Sequence, residues 1–151
     1  MKLDYLMTYR ADLKPAVAIG EGPSGTRRIM DVTGGTFEGP KLRGTLLPSG
    51  GDWLVTGADG VSRLDVRATF LTDDGAHIYA QYYGINIASE KAAAKRAGGG
   101  SSDFGDAYFM TSPRFETGDP RYAWLNAIVA VAEGRGGPGF VEYRVYQVVN
   151  G

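Results

Sequence analysis

Along Val61–Thr72 the chain alternates apolar and polar residues. Leu64, Val66, Ala68 and Phe70 fall on even positions, and Arg63, Asp65, Arg67 and Thr69 on odd ones. A period of two belongs to an extended strand, whose successive side chains point to opposite faces. Ala58-Asp59-Gly60 precedes this run and Asp73-Asp74-Gly75 follows it. Asp-Gly is a strong hairpin-turn signal. Ala76–Ile87 is therefore its antiparallel partner, with His77, Tyr79, Gln81 and Tyr83 split from Ile78, Ala80, Tyr82 and Gly84.

The same grammar runs through the rest of the chain. Leu3–Leu13, Ala16–Ile19, Arg27–Val32, Leu42–Leu47 and Trp53–Thr56 read as strands, with a loop at 20–25 and a turn at 48–52. Gly34-Gly35 signals a bulge or a close backbone approach. Extended structure resumes at 106–114, a turn falls at 116–120, and 134–139 is a glycine-rich turn before a last strand, Phe140–Val149. Tyr122–Glu133 is ambiguous: Ala, Leu and Asn permit a helix, while Ile128, Val129 and Val131 favour a strand. Ala88–Ala97 breaks the pattern. Ser89 can cap a short helix that carries Glu90 near its start and Lys91, Lys95 and Arg96 toward its end. This segment is either a lid over a barrel mouth or an ordinary inserted loop. About eight to ten strands with almost no helix predict an all-β protein, a closed antiparallel barrel that leaves no edges, with a sandwich as the alternative.

Composition narrows the function classes. A chain of 151 residues suits a single domain, here 1–151, and 43% hydrophobic residues suffice for a core without a metal or staple. With no cysteine there is no disulfide, thiolate catalysis or Cys-bearing metal site. The lone histidine, His77, excludes a His-rich metal site, and a Ser-His-Asp set would have to use it with no G-x-S-x-G elbow present. Dinucleotide and P-loop fingerprints are missing. A net charge of −1 with dispersed basic residues offers no face for nucleic acid. No apolar run is fit for a signal peptide or a membrane span. The expectation is a cytoplasmic protein with no cofactor, no nucleic-acid partner and no membrane partner. Its partner would be a small-molecule ligand, with a homodimer favoured by the low charge and the nine tyrosines.

Carboxylates, arginines and phenols remain to carry chemistry. The segment 110–126 concentrates Arg114, Glu116, Asp119, Arg121, Tyr122, Trp124 and Asn126. A carboxylate in an apolar pocket has its pKa raised toward the range useful for proton transfer. A positioned Arg or Tyr stabilises a developing oxyanion. Glu116 and Asp65 are the acid/base candidates, with Arg67, Arg121 and Tyr122 as anion binders. Each of these charges has a competing reading as half of a structural ion pair. Period-two alternation also leaves two readings of Val61–Thr72, with Asp65 and Arg67 either in solvent or in a wet internal cavity.

Five segments carry a family resemblance: Val32–Pro40, Leu46–Trp53, Thr72–Tyr79, Phe115–Asn126 and Val145–Val149. They resemble the DUF3237 family, also called UPF0311, in the same order and over nearly the whole chain. The resemblance implies a compact antiparallel β-barrel of lipocalin-like or allene-oxide-cyclase-like kind. It carries over Asp52, Trp53, Asp65, Arg67, Asp74, Tyr79, Glu116, Arg121, Tyr122, Trp124 and Asn126 as the positions of interest. Arg67 is followed here by Ala68, where the family often has tyrosine. The polar signatures on strands imply a functional interior and favour the wet-cavity reading.

Three functions follow. The first is a cofactor-independent isomerase, cyclase or hydro-lyase acting on a small aromatic or polyketide-like compound. Asp65 or Glu116 would move the proton, Arg67 or Tyr122 would hold the oxyanion, and Asp52, Trp53, Tyr79, Arg121, Trp124 and Asn126 would bind ligand. The second is a non-catalytic carrier using the same pocket. The third is a structural or oligomeric protein with a filled barrel.

Overall fold

A computed structural model describes all 151 residues. Ten strands follow one another in the chain: β1 (Lys2–Leu13), β2 (Val17–Gly22), β3 (Gly25–Glu38), β4 (Arg43–Thr56), β5 (Val61–Thr72), β6 (His77–Ile87), β7 (Tyr108–Thr111), β8 (Arg114–Glu116), β9 (Ala130–Gly137) and β10 (Phe140–Val149). One helix, α1 (Glu90–Ala97), lies between β6 and β7, and a 3-10 helix, Pro120–Ala127, lies between β8 and β9. The sheet runs β1-β10-β9-β7-β6-β5-β4-β3, and β1 pairs with β3 to close it into an eight-stranded antiparallel barrel. β2 extends the sheet beyond β3, and β8 continues along β6 below β7.

The two Asp-Gly hairpins form as the turn residues require. Val61 pairs with Ile87 and Leu71 with His77 in an unbroken β5–β6 register. Two strands run longer than their sequence suggests. The 33–37 stretch does not end β3. The β3–β4 register slips between Asp31 and Gly35, so Val32 and Phe37, five positions apart, both point inward. Gly35 has a φ of 145°, and a Cβ there would collide with the Arg10 carbonyl oxygen of β1. Likewise 48–51 is no hairpin turn but an irregularity within β4, after which Asp52 and Leu54 resume the inward face.

The Tyr122–Glu133 ambiguity resolves into both forms: a 3-10 turn through Ala127, then strand from Ala130. Asp119 starts the turn by accepting the Arg121 N–H at 2.9 Å, and Pro120 occupies the first position, where a missing N–H costs nothing.

The even residues of β5 face the interior: Leu64, Val66, Ala68 and Phe70 are all buried. Closure thus overturns the wet-cavity expectation for this strand, because Asp65 and Arg67 lie on the outer surface. The interior divides along the barrel axis. Its lower half, toward the β5–β6 turn, is packed with Tyr9, Phe37, Phe70 and Phe115, whose rings meet at centroid distances of 5.1–6.3 Å. Leu125 of the 3-10 helix is 1% exposed and belongs to this core. The upper half, toward the start of β5 and the end of β6, is open.

Candidate functional site: a lidded cavity around Asp52

A cavity of about 530 Å³ occupies that upper half, within the ~300–1,000 Å³ typical of small-molecule sites. Its walls are mostly apolar, including Met30, Val32, Leu54, Leu64, Val66 and Phe109. β9 contributes Gly134 and Gly136, so its inner face leaves room where side chains would stand. A Cβ on Gly134 would come within 2.9 Å of the Phe109 ring. The glycine-rich run read as a turn therefore forms a cavity wall as well as a connection.

Asp52 is the carboxylate in this apolar wall. It is 8% exposed, and burial raises its pKa to about 7. Removal from water penalises the charged form, and the negative charge of Asp65 adds to the rise. Two influences oppose it. The Asp65 N–H donates to Asp52 Oδ1 at 3.2 Å, and the Arg28 guanidinium attracts the carboxylate. Only Oδ1 has a protein partner among the hydrogen bonds, which leaves Oδ2 for a ligand. A carboxyl group with a pKa near neutrality can both give and take a proton.

Three buried phenols stand beside Asp52. Tyr82 and Tyr143 line the cavity, and Tyr9 lies against them with ring centroids 6.5 and 5.0 Å away. Burial raises all three pKa values, so each keeps its proton and remains a donor at neutral pH. The Tyr9 hydroxyl is buried without a hydrogen-bond partner. No group of three or more His, Cys, Asp or Glu is placed to hold a metal ion.

α1 and the segment after it cover the mouth, with Ala92, Ala93, Arg96, Ser102, Asp103 and Ala107 among the cavity residues. Of the two readings of this segment, its position is that of a lid. Ser89 caps α1 by accepting the Ala92 N–H at 3.0 Å and donates to the Asp106 carbonyl at 2.6 Å. Lys95 bridges Asp106 and Asp103 at 2.6 and 2.9 Å, and Lys91 reaches Asp106 at 3.3 Å. The buried Ser102 ties the segment to β9: its N–H donates to the Gly136 carbonyl and its Oγ accepts from the Gly136 N–H, at 2.9 and 3.0 Å.

Of the residues proposed from sequence, Asp52 alone lines this cavity. Asp65 and Arg67 face outward as a 3.6 Å ion pair, and Trp53 lies outside with the Arg67 guanidinium 5.9 Å from its ring. Tyr79 and Glu116 pair across β6 and β8 with both side chains exposed. The other four gather at the opposite end. Tyr122 donates to Asp74 at 2.8 Å, Arg121 bridges Asp119 and Asp74, and Trp124 stacks under the Lys41 ammonium. Asn126 exchanges two hydrogen bonds with the Thr117 backbone at 2.8 and 3.0 Å. The polar cluster at 110–126 thus closes the lower end of the barrel. It does not share a cavity with Asp65 and Arg67, as the sequence expectation required.

Sequence reasoning missed Arg28, Tyr82, Tyr143 and Arg96. The phenols did leave a signal. Tyr82 sits in the apolar set of β6, and Tyr143 alternates with Val141 and Val145, so each puts a polar atom on a buried face.

The whole chain has relatives. Residues 1–148 match the family described as "Protein of unknown function (DUF3237)". A UPF0311 protein of Rhodopseudomonas palustris is 34% identical over 125 residues, 83% of this chain and 82% of that one. Its crystal structure superposes with a TM-score of 0.89, covering 99% of each chain at 32% identity. A β-barrel-like protein of Acinetobacter baumannii superposes at 0.84 with 37% identity, covering 97% of this chain and 94% of that one. A hydroalkoxylation enzyme of Penicillium herquei is 28% identical over 129 residues, 85% of this chain and 70% of that one. The barrel, its motifs in order and these matches agree: the chain belongs to the DUF3237 (UPF0311) family.

Proposed function

We propose that the cavity performs cofactor-independent proton transfer on a small aromatic or polyketide-like compound, with Asp52 as the acid/base group. The observation that carries this reading is a carboxyl group with a pKa of about 7 in an apolar, lidded cavity. The name of the Penicillium herquei relative suggests the reaction, addition of an O–H across a carbon–carbon double bond, and the size of a single enclosed cavity favours the case in which both groups belong to one molecule. The hydroxyl O–H and the π bond break, and a C–O and a C–H bond form, so the product is an isomer of the substrate. Protonated Asp52 gives its proton to an alkene carbon, and the resulting carboxylate takes the proton of the attacking hydroxyl. Tyr82 and Tyr143, neutral donors in the wall, hold a second oxygen of the substrate. The apolar lining excludes water, which would otherwise compete as the nucleophile.

The test uses a panel of alkenyl phenols in heavy water, read by mass spectrometry. Cyclic ether carrying one deuterium on carbon is the expected product. Asp52→Asn should slow its formation by at least ~100-fold, the usual worth of a positioned acid/base group. Wild-type rates in that variant would remove Asp52 from the role. Tight binding of the panel with no product would favour the carrier reading.

A further inference from the structure

Two arginines line the cavity, Arg28 from β3 and Arg96 from the lid, and neither forms an ion pair, although Arg28 acts on Asp52 through its charge. α1 carries three basic residues near the lid. Lys91 and Lys95 are neutralised by Asp103 and Asp106, which leaves Arg96 free. On β3, Arg27 spends a guanidinium N–H on the Trp53 carbonyl at 2.7 Å, while Arg28, the next residue, lines the cavity on the same face as Met30 and Val32. β9 leaves space for Arg96. A Cβ added to Gly136 would lie 2.8 Å from an Arg96 guanidinium nitrogen, so the Arg96 head occupies space that a side chain at 136 would take. Ser102, hydrogen-bonded to the same glycine, holds the lid segment over this spot.

We infer that Arg28 and Arg96 form a carboxylate clamp, so that the ligand is an amphipathic acid with its apolar body in the cavity and its carboxylate at the mouth. A guanidinium presents its donors in a planar fork that matches a carboxylate. The surroundings agree. Asp103 is engaged by Lys95, and Asp52 draws Arg28 by charge alone, with no hydrogen bond or ion pair between them. The clamp also gives the lid a reason to close. The ligand's charge would bridge α1 to β3, joining the cover to the barrel. The inference rests on the cavity assigned above, and it concerns what enters rather than what reacts.

Naphthoate and naphthamide serve as probes, because they share shape and differ in charge. Isothermal titration of the whole protein should find naphthoate bound at least ~10-fold more tightly, the worth of one or more charge-assisted hydrogen bonds. That preference should weaken as salt rises. Arg28→Gln and Arg96→Gln should each weaken naphthoate about tenfold and leave naphthamide within twofold. Both residues are exposed, so folding is not at stake. Gly136→Ala keeps both charges but displaces the Arg96 head, and should lower the preference for the acid in the same direction. Asp52→Asn, expected to slow turnover, should bind naphthoate at least as well as the wild type, so failure of catalysis and failure of the clamp are read separately. No binding by either probe, equal binding of both, or equal loss of both in the arginine variants overturns the clamp.

Discussion

Asp52 gains its chemistry from a conflict between burial and charge. Its ionised form would be better served by water than by Leu54, Leu64 and Val66, and burial accordingly pushes its pKa up to about 7. The sign has a consequence for stability. At about pH 4 and below, Asp52 holds its proton in both folded and unfolded chains and contributes nothing. Between about 4 and 7 the unfolded chain ionises while the folded one keeps its proton, so stability falls as pH rises, and the loss levels off above 7. The full penalty is at most about 4 kcal/mol, taking ~1.4 kcal/mol per unit. Asp52→Asn should therefore be more stable than the wild type in urea at pH 8, with the gap closing by pH 4. A gap that grew toward acid would contradict the buried-carboxyl account. The same ionisation should appear as a limb near pH 7 in the rate profile of any turnover. Asp65 shows the opposite case: a residue chosen for its polarity on a strand lies on the outer face, where only its backbone N–H hydrogen-bonds to the site and its carboxylate acts on Asp52 through charge alone.

Among elements, α1 is the one whose stability depends most on individual polar groups. It buries no residue of its own, so its position rests on the Ser89 cap, the Lys91 and Lys95 bridges and the Ser102–Gly136 tie. Ser89→Ala removes both the cap and the bond to the Asp106 carbonyl, and should cost the local structure about 1 kcal/mol. Hydrogen exchange would report this as faster exchange across 90–107 with the barrel strands unchanged. The helix was legible because Ser, Glu, a run of alanine and then basic residues follow the rules of helix ends. Its role was not legible. What it covers depends on where β6 ends relative to β3 and β9, far away in sequence. β4 teaches the reverse lesson. Pro48-Ser49-Gly50-Gly51 has the composition of a turn, yet the pairs that β4 makes with β3 and β5 before and after this stretch carry the strand through it as an irregularity. Neighbouring strands outweigh a local preference.

Across the whole molecule, the barrel separates a packed end from an open one. Leu125, Phe115 and Phe70 belong to the packed half, so Leu125→Ala should destabilise the protein by about 2–5 kcal/mol while leaving naphthoate affinity unchanged. Glu116→Gln, on the outer face at that end, should leave turnover at its wild-type rate; a loss would return the 110–126 cluster to the chemistry. No helix is long and apolar enough to cross a membrane.

The sequence by itself determined most of the strands, the two Asp-Gly hairpins, the helix and the family, because each is written in local periodicity, turn residues and contiguous motifs. It also determined that Val61–Thr72 has one apolar and one polar face. Period-two alternation is symmetric between the two sides of a sheet, so it carries no information about which side is enclosed. Only the pairing of β1 with β3 decides that. The same closure decides which end is filled by aromatic rings and which stays open, and so brings Asp52 of β4, Tyr82 of β6, Tyr143 of β10 and Arg28 of β3 around one cavity. These residues are scattered over more than a hundred positions, and no spacing within the chain announces that they meet.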